Sequence, residues 1–360
     1  MNGNARIHAL GQSLWLDNIT RDILNDGTLQ RYIDTLSVTG LTSNPSIFQK
    51  AIAGTDSYND QIRELVGQGL DAEQLFFELA LQDLTRAADH FKAIHEQTEG
   101  VDGFVSLEVS PLLANDTENT IDQAKRLHAK AQRDNLFIKV PGTREGLPAI
   151  EELIFSGVPI NVTLLFNRDQ YLAAAEAYTR GIERRIEAGL DPKVESVASV
   201  FISRWDKATM DILTGDLKDT MGTSIARRTY KSYVDFINGD RWSELKEKGA
   251  RPQRLLWAST GTKDPALPDT FYITGLAAPE TVNTMPEKTL LALADVADDE
   301  GVMPVDGGDC EAVLARIAEA GVDVVALAEK LQIDGRDSFD QAWKAMIADI
   351  GSKADSIANG

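Results

Sequence analysis

The sequence predicts an α/β protein whose units close into a (β/α)8 TIM barrel, with additional helices that include a C-terminal helical extension. Three observations lead there. Short apolar, strand-like runs alternate with longer amphipathic segments. Eight such runs can be counted, the number a closed barrel of this kind requires. No glycine-rich phosphate loop follows the first run, which removes the main support for the alternative, a doubly wound open sheet.

In chain order the predicted strands are residues 14–19, 35–41, 104–109, 136–140, 159–166, 197–202, 255–259 and 271–276. Each is short and apolar, as a strand covered on both faces should be. Helical patterns such as 73–95 and 117–133 lie between them, and their lengths suit crossovers between parallel strands. From about residue 285 the pattern turns purely helical, with segments at 286–297, 310–320, 322–331 and 337–350. The expected organisation is a single domain, 1–360, comprising a barrel at about 13–284 and a helical extension at about 285–360.

Chain-level composition narrows the function classes. The 360 residues are 43% hydrophobic and 26% charged, values typical of a soluble globular chain with a sizeable core. The formal net charge of -20 repels nucleic acid and anionic lipid, and no basic patch stands against it. Cys310 is the only cysteine, so no intramolecular disulfide forms and a reduced cytoplasm is the default. Residues 1–10 lack an apolar core behind a basic stretch, and no apolar run approaches the span of a bilayer; neither export nor membrane insertion is expected. A homodimer is the commonest prior for a soluble assembly.

If the barrel closes, function belongs at the carboxyl ends of the strands. Polar residues gather there repeatedly: Asp17 at the close of the first run, Thr42 and Asn44 after the second, Glu108 in the third, Lys139 in the fourth, Asn161 and Thr163 in the fifth, Ser199 and Arg204 around the sixth, Ser259 at the seventh. Single residues of this kind have local explanations, since Asn44 before Pro45 is also a helix cap. Lys139 is the most informative, because it interrupts the apolar run Leu136-Phe-Ile-Lys-Val140. Burying an ammonium is expensive and favours the neutral amine, which is a nucleophile able to attack a carbonyl and form a Schiff base. On that segment alone the ordinary readings carry more weight: an edge strand with Lys139 facing water, or an ion pair with a neighbouring carboxylate. Convergence across seven strands shifts the balance towards carbon–carbon bond chemistry through an imine.

At this point the chain resembles the transaldolase family along nearly its full length. The stretches that carry the likeness are Trp15-Leu-Asp-Asn18, Gly40-Leu-Thr-Ser-Asn-Pro-Ser46, Val105-Ser-Leu-Glu-Val109, Ile138-Lys-Val-Pro141, Asn161-Val-Thr-Leu-Leu-Phe166 and Ser199-Val-Phe-Ile-Ser-Arg204. The resemblance implies a cytosolic enzyme of the pentose phosphate pathway, acting on phosphorylated ketose and aldose substrates without metal or organic cofactor. It would move a dihydroxyacetone unit from sedoheptulose 7-phosphate to glyceraldehyde 3-phosphate, giving erythrose 4-phosphate and fructose 6-phosphate. By the same likeness Lys139 is the Schiff-base lysine and Asp17 the general base, then acid. Glu108 shuttles protons through a water positioned with Thr163. Asn44 and Asn161 hold the three-carbon unit, with Thr42 behind them and Ser199 on a hydroxyl, while Arg204 and Ser259 clamp the phosphate. Many family members carry a second phosphate arginine two residues after that serine; here the position is Gly261, leaving Lys263 either as its replacement or as a solvated loop lysine. The related fructose 6-phosphate aldolases tend to carry glutamine and tyrosine where this chain has Glu108 and Phe201, so both positions favour transfer over release. A sugar-phosphate-binding barrel without catalysis is the other alternative.

The remaining candidates have structural explanations. The four histidines (His8, His90, His95, His128) lack metal-ligand spacing, and Asp306-Gly-Gly-Asp309 lacks the alternating ligands of a calcium loop, so no metal is expected. Trp205, Trp242, Trp257 and Trp343 read as core.

Overall fold

The computed structural model describes residues 1–297 and 301–359; residues 298–300 and 360 of the expected extension lie outside the described residues. Eight parallel strands among them close into a barrel in sequence order: β1 (Gln12–Asp17), β2 (Val38–Thr42), β3 (Val105–Glu108), β4 (Leu136–Pro141), β5 (Ile160–Leu165), β6 (Ser196–Phe201), β7 (Arg254–Ala258) and β8 (Thr281–Met285). The last strand pairs back onto the first, with Leu14 opposite Asn283.

Side chains alternate across a strand with period two, and in a closed barrel this separates an interior from a helix-facing layer. Two apolar clusters follow that division. Trp15, Phe137, Val197, Leu256 and Val282 pack with one another in one. Their chain neighbours Leu14, Leu16, Ile138, Ala198 and Leu255 belong to the other, with the surrounding helices. The interior filling begins near the amino ends of the strands, where the Phe104 and Phe137 rings stack at 4.0 Å and Trp15 Nε1 donates to Asp102 Oδ1 at 2.9 Å. Gly40 is required beside them: a Cβ there would lie 2.6 Å from the Phe104 carbonyl oxygen and 2.7 Å from the Trp15 ring.

Seven of the eight predicted strands are present with shifted ends; the eighth is corrected. Residues 271–276 begin with a single helical turn, Phe271–Thr274, closed by Ile273 N and Thr274 N donating to the Thr270 carbonyl at 2.8 and 3.0 Å. The true β8 reads Thr-Val-Asn-Thr-Met, too polar for a hydropathy search. Its buried polar side chains find partners from other segments: Thr281 Oγ1 donates to the Ala278 carbonyl at 2.6 Å, Asn283 Nδ2 to the Tyr272 carbonyl at 3.4 Å, and the Thr284 hydroxyl pairs with that of Thr42. The second strand begins later than predicted because 35–36 end the helix Thr28–Leu36, which Ser37 terminates in the left-handed region at φ 55°.

The extension also differs from expectation. Segments 322–331 and 337–350 belong to one 36-residue helix, Val324–Asn359, which runs through Gly335. Glycine is a poor helix former, but this one permits close packing: a Cβ would come within 3.1 Å of both Arg204 Nη1 and Leu164 Cδ2. The helix is capped by the Asp323 carboxylate, which accepts from Val325 N and Ala326 N, both at 3.0 Å.

Gly40→Ala is expected to lower stability by about 1–3 kcal/mol, the usual cost of overpacking a filled interior. A shift of the urea midpoint at constant slope would show it.

Candidate active site

On five strands the residue two positions beyond an interior apolar side chain reaches the carboxyl end of the barrel. Trp15 leads to Asp17, Phe137 to Lys139, Val197 to Ser199, Leu256 to Ala258 and Val282 to Thr284. These five second residues line a single cavity of about 270 Å³ at the barrel mouth. Thr42, Asn44, Thr163, Phe201, Arg204, Ser259 and Lys263 line it as well. Of the residues singled out in the sequence, only Glu108 and Asn161 are outside its wall, both buried just beneath.

Lys139 is buried, 6% exposed, which removes the edge-strand reading. Its Nζ donates to the Ser43 carbonyl at 3.1 Å and stands 3.7 Å from Glu108 Oε2. Strand register sets this spacing, since Glu108 is directly opposite Lys139 on β3, and Asn161 opposite it on β5. Burial drives the Glu108 pKa up to about 7, with the Asp17 charge adding to the rise and Lys139 opposing it. Neither Glu108 carboxylate oxygen, nor the buried Thr163 Oγ1, has a hydrogen-bond partner among the described residues.

Asp17 occupies the other side. Thr42 lies opposite it on β2 and donates to Asp17 Oδ1 at 2.7 Å, and the Thr42 and Thr284 hydroxyls are 2.6 Å apart. Burial raises the Asp17 pKa, while Lys139, the Thr42 hydrogen bond and Lys263 pull it down. Asn44 turns out to be both a cap and a wall residue. Its side-chain oxygen accepts from Ile47 N at 3.1 Å, at the start of the helix Pro45–Gly54, so its amide nitrogen is the group left for the cavity. Asn161 is a supporting residue by position: Oδ1 accepts from Ser199 Oγ at 2.7 Å and Nδ2 donates to Ser106 Oγ at 3.1 Å.

Cations gather at the rim. The Arg204 guanidinium lies over the Phe201 ring at 5.2 Å and near the Phe339 ring at 6.0 Å, with no hydrogen bond or ion pair among the described residues. Burial lowers its pKa, against the attraction of Asp334. Lys263 has its pKa lowered by desolvation first and then by repulsion from Arg204 and Lys207, against the attraction of Asp17, so that two cations stand on one side of the mouth. Ser259 takes the left-handed conformation at φ 55°, and its hydroxyl is 3.0 Å from that of Ser203. No group of three or more metal-binding side chains occurs among the described residues.

The sequence pattern of the tail permits either a cover over the mouth or a partner surface and names no wall residue; Ser338, Phe339 and Ala342 close one side of the cavity. Phe339 sits four residues before Trp343 in a helical apolar pattern, which reads as packing and gives no hint of a site.

A buried amine with a carboxylate at its side, a second carboxylate across the cavity and paired cations above it form the equipment of one class. That class is the (β/α)8 enzymes, whose active sites lie at the carboxyl ends of the strands. The chain belongs to the transaldolase/fructose-6-phosphate aldolase family, whose sequence model matches residues 14–350. Curated relatives named transaldolase are similar along almost their whole length. That of Renibacterium salmoninarum is 44% identical over 370 residues, covering 98% of this chain and 97% of the relative. That of Neisseria gonorrhoeae is 42% identical over 345 residues, covering 96% and 98%, and that of Thiobacillus denitrificans 41% identical over 359 residues, covering 98% and 100%.

Glu108 carries a pH signature. Its pKa rises on folding from an ordinary 4.5 to about 7, so between those values the native state holds more protons than the unfolded chain, and stability falls as pH rises. The contribution is on the order of 3 kcal/mol across that window. Glu108→Gln removes it, so urea midpoints of this variant should gain on the parent between about pH 5 and about pH 8.

Proposed function

We propose that this chain is a transaldolase of the pentose phosphate pathway, acting in the cytoplasm. It takes a dihydroxyacetone unit from sedoheptulose 7-phosphate and gives it to glyceraldehyde 3-phosphate, forming erythrose 4-phosphate and fructose 6-phosphate. The observation that carries this reading is the buried Lys139 with Glu108 at 3.7 Å, facing Asp17 across one cavity, in a chain with near full-length similarity to transaldolases.

Lys139 attacks the ketose carbonyl. Loss of water gives an iminium that withdraws electrons from the adjacent carbon. Asp17 accepts the proton of the hydroxyl at the bond that breaks, and later returns it to the acceptor's aldehyde oxygen. Its raised pKa suits a group that must both take and give a proton. Glu108 serves the formation and hydrolysis of the imine. A carboxyl with a pKa of about 7 is poised between acid and base at neutral pH, and the unpartnered oxygens of Glu108 and Thr163 suit a shared water. The Asn44 amide, Thr42 and Ser199 hold the three-carbon unit, with Asn161 fixing Ser199 from below.

Arg204, Ser259 and Lys263 receive the phosphate. Arg204 offers a planar fork of donors, and Lys263 supplies the second charge as a point cation where Gly261 has no side chain to contribute. A Cβ on Gly261 would meet Pro286 Cγ at 3.2 Å, so the wall is close at this position. These cations give the mouth a local positive field that the chain lacks as a whole.

A coupled assay with fructose 6-phosphate, with and without erythrose 4-phosphate, tests the reading. Acceptor-dependent formation of glyceraldehyde 3-phosphate without free dihydroxyacetone is expected; acceptor-independent release would make the enzyme an aldolase instead. Lys139→Met should abolish both turnover and borohydride trapping of the substrate, and normal turnover in that variant would refute the imine. Asp17→Asn should still be trapped by borohydride while cleavage falls roughly 10²- to 10⁴-fold. Cleavage at the parental rate would remove Asp17 from the role of base.

A further inference from the structure

A transferase working through an imine faces one chemical hazard. Once the carbon–carbon bond breaks, the three-carbon fragment remains on the lysine as an enamine, whose nucleophilic carbon must wait for the acceptor aldehyde. If that carbon takes a proton first, it becomes the iminium of dihydroxyacetone. Water then adds, the carbon–nitrogen bond breaks, the lysine amine is regenerated and dihydroxyacetone is lost. Transfer therefore depends on withholding protons from one carbon while the proton relay at the nitrogen stays open.

The structure separates those two regions. Behind Lys139 lie Glu108, whose oxygen is 3.7 Å from Nζ, and the Ser43 carbonyl at 3.1 Å; Glu108 is no part of the cavity wall. In front of Lys139 the tail helix puts Phe339 into the wall, between Ser338 and Ala342 of the same helix. The Phe339 ring centre is 5.9 Å from Lys139 Nζ and 6.4 Å from the Phe201 ring, so the two phenyl groups form one continuous cover. At 5.9 Å a cation–π attraction is near the limit of its reach, so the weight of the contact is steric exclusion. Neither ring has an atom that could donate or relay a proton. Asp17 is the one carboxylate among the lining residues.

The height of Phe339 is fixed two helical turns earlier. Gln332 Nε2 donates to the Leu164 carbonyl at 2.9 Å and to the Gly142 carbonyl at 3.2 Å. Gly142 directly follows β4, which carries Lys139. Leu164 follows Thr163 in the irregular stretch of β5, with φ at 61°, a conformation rare for a residue with a side chain. One amide thus pins the tail helix to the ends of β4, which carries Lys139, and β5, which carries Thr163. Gly335, between Gln332 and Phe339, lets the helix approach Arg204 closely. The tail helix is consequently held in register with the barrel mouth.

We propose that Phe339 is a specificity-determining residue: with Phe201 it shields the enamine carbon on Lys139 from water and proton donors, and so directs the fragment to the acceptor aldehyde instead of to release. This rests on the imine-based transfer proposed above.

The test is a partition measurement on the parent, Phe339→Leu and Phe339→Ala. Each is given fructose 6-phosphate with and without erythrose 4-phosphate in D2O. Free dihydroxyacetone, its carbon-bound deuterium and the borohydride-trapped adduct are then followed. Opening the cover should raise the fraction of turnovers that end in deuterated dihydroxyacetone by about tenfold in the alanine variant, with a smaller rise for leucine, while trapping persists. Loss of packing alone would lower both outcomes together and leave their ratio unchanged. If Phe339→Ala does not fold, the leucine variant against the parent decides on the same ratio. An unchanged ratio in a folded variant whose parent transfers normally would overturn the shield and leave the function standing, whereas a parent that yields no trapped adduct would remove both.

Discussion

The placement of one amine governs the rest of this molecule. Lys139 is nearly inaccessible in the interior of a closed barrel, and an ammonium there demands compensation. Compensation comes only in part: one backbone carbonyl and one carboxylate at 3.7 Å. Glu108 responds by rising towards a pKa of 7, because its own burial opposes ionisation more strongly than the lysine favours it. A carboxyl beside the lysine that is not fully committed to its charge can move protons near neutrality. The same incompleteness that makes it a weak source of stability makes it useful chemically.

Two neighbouring features depend on that pair. The hydroxyls of Thr42 and Thr284, 2.6 Å apart beside Asp17, keep the second carboxylate on its own side of the cavity. The Asn161–Ser199 and Asn161–Ser106 hydrogen bonds stiffen the layer below, so that the floor is a connected polar sheet over a filled apolar plug. Interior packing of Trp15, Phe137 and Phe104 therefore bears on chemistry, since it sets the depth at which Lys139 and Asp17 emerge.

The tail helix adds what strands cannot. A barrel mouth opens to water by construction, and loops between strands and helices are the usual means of closing it. Here a 36-residue helix crosses the opening and contributes an aromatic face, with its register pinned by Gln332. Rigid closure of this type leaves the cations at the rim, where Arg204 stands over two adjacent phenyl rings without an ion pair among the described residues. The cavity is thereby polarised, with positive charge above, carboxylates on the floor and one side, and an apolar wall between.

By itself the sequence determined the class of fold, seven of the eight strands and most of the strand residues that line the mouth. Strand alternation turns spacing into direction, so an out-of-place lysine or aspartate at a strand end marks a site. It misplaced β8, because that strand is polar and its burial is made possible by backbone partners contributed by residues 272 and 278. It also split the tail helix at Gly335, where local propensity argues for a break and packing against Arg204 and Leu164 argues for glycine. The separation of Lys139 from Glu108, the recessed place of Asn161 and the presence of Phe339 in the wall were decided only by tertiary structure. The first two depend on strand register in the closed barrel and the third on a helix returning from over 160 residues away, and contacts of that kind leave no local pattern in the chain.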